Sequence, residues 1–180
     1  QYEETNMLKS ARSSQEAILN ADRDLYQAYA AVQKLVLEDN TEDQITAQTS
    51  FYNDNIKTAK ERVLNSVQEM ENTKKLWLEY KGKASNLTVF EILEKVNSEI
   101  DEWAKISNLS IENKAFDEQW EVAFNVAREH LDEANDLLEE ALKANDKTYS
   151  KRSIYALTNI SVGFIIMIVL IAILTYLIAR

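Results

Sequence analysis

Residues 18–44 read ILNADRDLYQAYAAVQKLVLEDNTEDQ, and this stretch decides the fold. Its apolar residues Ile18, Leu25, Tyr29, Val32 and Val36 recur at three, four and seven, the spacing of a helix face packed on another helix. The run ends at Asp39-Asn40, where Asn suits a left-handed cap. Thr41-Glu42-Asp43-Gln44 then has capping-box spacing: a Thr hydroxyl and a Gln side chain three residues on can each accept from the other's backbone N–H. One long helix stops and another starts within a few residues, which makes antiparallel neighbours.

The same reading extends in both directions. Upstream, Leu8 and Ala11 continue the first seam. Downstream, the second seam is Ile45, Tyr52, Ile56, Ala59, Val63, Met70, Trp77 and Tyr80, and Gly82 is expected to stop it. Thr88-Val89-Phe90-Glu91 is a second capping box, opening a helix with Val89, Leu93, Val96, Ile100 and Trp103 inward. Ser107–Asn113 is expected to be the next turn. A fourth seam follows: Trp120, Phe124, Ala127, Leu131, Ala134, Leu138 and Ala141. The expected fold is all-α, an antiparallel up-down-up-down four-helix bundle whose last helix is continuous with a transmembrane helix.

Composition supports long helices and excludes much else. The chain has no proline, no cysteine and two glycines, Gly82 and Gly163. Sheets need more turns than this, zinc-thiolate sites need cysteine, and phosphate loops need glycine. Residues 1–150 hold 17 basic against 30 acidic residues, a net −13. No nucleic-acid partner is expected of such a surface.

Residues 153–179 carry no charge, and from Ile160 the chain reads ISVGFIIMIVLIAILTYLIA. A bilayer core needs about 20 apolar helical residues. Lys151, Arg152, Tyr155 and Tyr176 are expected at its interfaces, where cations and amphipathic rings sit. The expected division is therefore 1–150, a four-helix-bundle domain, and 151–180, a transmembrane helix. In an up-down-up-down bundle the first and last helices share their membrane-side ends, so a membrane helix ahead of residue 1 is expected.

Two segments carry a family resemblance. Ala21-Asp22-Arg23-Asp24-Leu25-Tyr26-Gln27-Ala28 lies in the first helix, and Phe124-x-x-x-Arg128-x-x-Leu131-Asp132 in the last. Together they resemble the four-helix-bundle ligand-binding domain of bacterial methyl-accepting chemotaxis proteins, a module also found on histidine kinases and cyclase-type receptors. The resemblance implies a homodimeric periplasmic sensor in the bacterial inner membrane, spanning it before residue 1 and again at 154–178. A HAMP linker and a cytoplasmic region controlling a chemotaxis kinase complex would follow Arg180. The implied partners are membrane lipid and a small-molecule ligand or periplasmic binding protein. Aspartate- and serine-type receptors of this fold use several first-helix arginines. Here that helix offers Arg12 and Arg23, with Lys34 alone toward its far end. A structural, tail-anchored tethering bundle is the rival reading.

Candidate chemistry is sparse. Tyr26, Tyr29, Gln33 and Lys34 should come near Phe116, Asp117, Trp120 and Phe124, and aromatics with a cation would suit a small anionic or aromatic ligand. The same aromatics at helical spacing could equally be core. Of these, Tyr26, Tyr29, Gln33, Lys34, Asp117, Trp120 and Phe124 are the candidate ligand-binding residues. Gln15 and Asp22 occupy seam positions and would fix register or mark a solvated seam, or else line a polar pocket or a dimer contact. Leu8, Ala11, Ile18, Leu19, Val32 and Leu35 make the first helix's apolar edge wide enough for a dimer contact. His130 and Glu133 share a helical face, but one histidine cannot make a di-iron bundle. The sequons Asn86-Leu87-Thr88 and Asn108-Leu109-Ser110 read equally well as helix caps. No nucleophile–base pair can be assembled, so neither enzymatic activity nor a cofactor is expected.

Overall fold

The computed structural model describes residues 2–144, with side-chain surroundings from residue 5. Gln1–Ala141 forms one compact unit, and the description below is of that unit. It is all-helical: α1 Tyr2–Leu37, α2 Glu42–Glu71, α3 Lys74–Trp77, α4 Val89–Asn113, and α5 from residue 118. The expected membrane segment, with Lys151, Arg152, Tyr155 and Tyr176, lies outside the described residues. Among those described, no helix is long and apolar enough to cross a membrane.

The helices pack as a bundle, and side-chain contacts fix their neighbours. Ser14 donates to the Ser66 carbonyl and Arg62 to Asp24, joining α1 to α2. Tyr52 donates to the Ala104 carbonyl, joining α2 to α4. Trp120 donates to Ser107, joining α5 to α4, and Arg128 to Asp22, joining α5 to α1. In each helix pair the residue numbers rise on one side as they fall on the other, so neighbours run antiparallel.

The α1 seam is wider than one apolar stripe. Ala11, Ile18, Leu25 and Val32 form one heptad row, and Met7, Ser14, Ala21, Ala28 and Leu35 form another; all are buried. Small residues in the second row let α2 approach closely enough for the Ser14 bond. Fully burying a large apolar side chain contributes about 1.5–3 kcal/mol, so Ile18, Leu25, Leu35, Ile100, Leu131 and Leu138 hold the unit together.

Both capping boxes form at the expected residues, Thr41 with Gln44 and Thr88 with Glu91. Four expectations need correction. The second helix does not run to Gly82: α2 ends at Glu71, because the Thr73 hydroxyl and N–H both turn back to the Met70 carbonyl. The segment 107–113 is not a turn, since α4 continues to Asn113; Ser107 and Ser110 are buried, and Ser110 satisfies its hydroxyl on the Ile106 carbonyl. Asn40 is not a left-handed cap; its side-chain amide donates to the Lys34 and Glu38 carbonyls instead. Ile45 and Ile56 are not buried in the seam, where Asn55 and Ser66 stand; Asn55 meets the cost of burial by donating to the Phe51 carbonyl.

Candidate functional site

Midway along the unit, α1 is clasped on both sides by ion pairs. Asp24, 3% exposed, accepts from Arg62 of α2 at 2.6 Å and from its neighbour Arg23 at 3.2 Å. Two residues earlier, Asp22 accepts from Arg128 of α5 at 2.7 Å. Spacing of two on a helix turns these carboxylates toward different neighbours, which is why one short run can serve both α2 and α5.

Next to the second pair lies an aromatic cluster. Tyr29 stacks on Trp120 at 4.4 Å and leans on Phe124 at 4.5 Å; Tyr26 meets Phe124 edge-on at 5.4 Å. Trp103 of α4 contacts Phe124 at 5.1 Å and Trp120 at 6.1 Å, and Phe116 covers Trp120 at 4.3 Å. The Arg128 guanidinium lies over the Tyr26 ring, 4.2 Å from its centroid. Each such pair is worth about 0.5–1.5 kcal/mol beyond its buried area, so the cluster also cements α1, α4 and α5.

The structure thus brings together Tyr26, Tyr29, Trp120 and Phe124 from the sequence candidates. Trp120 and Phe124 are buried, Tyr29 is half-buried, and Tyr26 is 46% exposed at the edge of the cluster. Gln33 is half-buried and Lys34 exposed on the next turn of α1. Asp117 spends a carboxylate oxygen on the Gln119 N–H, capping α5. It also lines a cleft of about 440 Å3 with Glu102, Ile106, Ser110 and Phe116, at the α4–α5 turn. This cleft abuts the cluster through Phe116.

Sequence reasoning missed Arg128 as the cation of this cluster, naming Lys34 instead. The clue was present, since Arg128 lies one turn from Phe124 in the segment that carries the resemblance. It read Tyr52 and Trp103 as seam residues and not as members of the site. Tyr52 is buried, and its phenol is pushed up from 10.0 to about 12, chiefly by burial. Burial also raises the Tyr29 phenol, helped by Glu121 and Tyr26. The bond to Asp22 raises Arg128 further above its ordinary value, so it stays a cation at any working pH. Burial raises the Asp132 carboxyl, against the pull of Arg128 and with the repulsion of Asp22 and Asp136. Trp103 leaves its indole N–H without a hydrogen-bond partner in this packed centre.

His130 and Glu133 do not work together. The His130 Nδ1 lies 2.9 Å from Glu99 of α4. Glu133 accepts from the backbone N–H groups of Ala84 and Ser85, both at 2.9 Å, and so holds the loop that precedes α4. Partial burial opposes ionisation of Glu133, but those bonds outweigh it and hold its carboxyl below the usual range. Among the described residues no cluster could hold a metal ion. Compared with known proteins, the chain matches no family model, no curated protein and no solved structure.

Proposed function

We propose that this chain is the extracytoplasmic sensor of a transmembrane receptor of the chemotaxis type, read as an up-down-up-down four-helix bundle with α3 as an appendix to α2. In this reading α5 continues into a membrane helix at 151–180, and a second copy completes a homodimer; the apolar edge of α1 expected to meet that copy is instead spent inside the unit, where Ala11, Ile18, Val32 and Leu35 are buried. A small molecule or a periplasmic binding protein is sensed at the distal end. The output is control of a chemotaxis kinase complex.

The observation that carries the reading is the lateral contact of α1 with α5. Arg128–Asp22 and the Tyr29–Trp120–Phe124 stack hold the two helices side by side. These are the two helices whose ends would both face the membrane. The cleft at the α4–α5 turn lies at the other end, beside the start of α5. A ligand seated there acts on α5 only through its difference in affinity for two α5 positions. A shift on the order of 1–2 Å is the scale of helix-shift switches.

The test is a full-length receptor carrying residues 1–180 ahead of a kinase-control region. Inserting three or four glycines between Lys147 and Lys151 should abolish kinase control and leave ligand binding nearly intact. Normal control by the insertion variant would refute the reading.

A further inference from the structure

The connection between α2 and α4, residues 72–88, has the opposite charge to its surroundings. It carries Lys74, Lys75, Lys81 and Lys83 against a single Glu79, in a region whose net charge is otherwise strongly negative. Lys75 and Lys81 are exposed, and Leu78 between them is 49% exposed. The turn beneath is anchored in the core: Trp77 is fully buried and its indole N–H donates to the Thr73 hydroxyl. A cleft of about 620 Å3 opens beside it, lined by Asn72, Lys75, Leu76 and Leu78 among others.

Position adds the second argument. Thr73 meets Ser10 near the start of α1, and Lys83 pairs with Glu140 near the last described residues of α5. The lysines therefore sit at the end of the unit from which the chain leaves toward the charge-free residues 153–179. Even fully extended, the chain from Ala141 to Ser153 spans no more than about 43 Å. The connection is thus held within the reach of that short stretch of chain from the apolar segment, and tethering raises effective concentration.

Exposed leucine among lysines fits an anionic lipid surface: ammonium groups meet lipid phosphates, and the apolar side chain enters the headgroup layer. We propose that residues 72–88 dock on anionic headgroups of the membrane that anchors the chain, through Lys75 and Lys81 with Leu78 inserted. This rests on the membrane reading above. Each lysine at such a surface is worth about 1 kcal/mol, roughly fivefold in a docking equilibrium. Docking would tie the α2–α4 connection to the bilayer and give α5, through Lys83–Glu140 and the Glu133 loop bonds, a fixed point to move against.

The chain has no cysteine, so single cysteines report single positions. Leu78→Cys, Leu109→Cys and Leu170→Cys would each be labelled with a fluorophore in the full chain, reconstituted into discs of phosphatidylcholine with or without phosphatidylglycerol. Label at 170 should be quenched by acyl-chain-brominated lipid, which tests the membrane reading alone. Label at 78, but not at 109, should be quenched by headgroup spin-labelled lipid, and only in the anionic discs. Lys75→Glu with Lys81→Glu should lower the docked-to-free ratio at 78 by at least about 30-fold. Circular dichroism should show unchanged helix, since both side chains are exposed. Quenching at 170 with none at 78, or quenching at 78 indifferent to lipid charge and to both substitutions, would overturn the proposal while sparing the membrane reading. No quenching at 170 would overturn both.

Discussion

Gly82→Ala should destabilise the protein through a residue on another helix, Glu133. A Cβ at position 82 would stand 2.3 Å from Glu133 Oε1, 2.6 Å from its Cδ and 3.0 Å from Ile92 Cδ1. The glycine is not in the left-handed region, so alanine brings no backbone strain there. By reducing unfolded-state freedom it should even contribute about 0.4–1 kcal/mol of stability. Against this, Glu133 must withdraw from the Ala84 and Ser85 N–H groups. Hydrogen bonds to a charged group are worth about 1.5–3 kcal/mol each when shielded, and less at this partly solvated site. A net loss of about 1–2 kcal/mol follows from setting the two effects against each other. Urea unfolding followed by the fluorescence of Trp77, Trp103 and Trp120 would measure it. Amide exchange at Ala84 and Ser85 would locate it, with protection falling by about tenfold or more. In a Glu133→Ala background the same Gly82→Ala change should be neutral or slightly stabilising, because only Ile92 remains to shift. Equal destabilisation in both backgrounds would refute the reasoning.

Asp24→Ala should cost more than Asp22→Ala in the same urea assay, by about 1–2 kcal/mol. Its side chain is 5% exposed against 24% for Asp22, and its loss strands Arg62 in the α1–α2 groove. Tyr52 should make the protein alkali-sensitive. Its phenol is raised from 10.0 to about 12, so the fold favours the neutral form, and that stabilisation is complete below pH 10 and lost as pH climbs to 12. The loss should amount to about 2–3 kcal/mol, and Tyr52→Phe should remove that component from the pH profile of stability.

How far the sequence could be read depended on whether a feature was local. Both capping boxes involve residues three apart and form where the pattern places them. The heptad rows of α1 are equally local, and Ala11, Ile18, Leu25, Val32 and Val36 are buried as expected. Gly82 shows the opposite case. Its small size serves a carboxylate 51 positions away, which no local pattern announces, while the left-handed residue of that loop is Asn86. Lys114 is likewise left-handed at the end of α4, a conformation that costs a non-glycine residue about 1 kcal/mol or more. Its ammonium donates to the Leu35 carbonyl at 2.5 Å, a gain found only after α1 and α4 have met. The candidate site divides the same way. The aromatic stripes were visible as seams, but choosing Arg128 over Lys34 required knowing that Asp22 faces α5.

A sensor of the proposed kind must hold its helical unit outside the cytoplasm on a membrane anchor. Residues 1–180 hold no cysteine, so Leu109→Cys gives them a single thiol, at a position where the native Leu109 is 50% exposed on α4. A membrane-impermeant maleimide applied to intact spheroplasts of cells making the full receptor tests its side directly. Complete labelling is expected before lysis if the unit is extracytoplasmic. Labelling that appears only after lysis would contradict it.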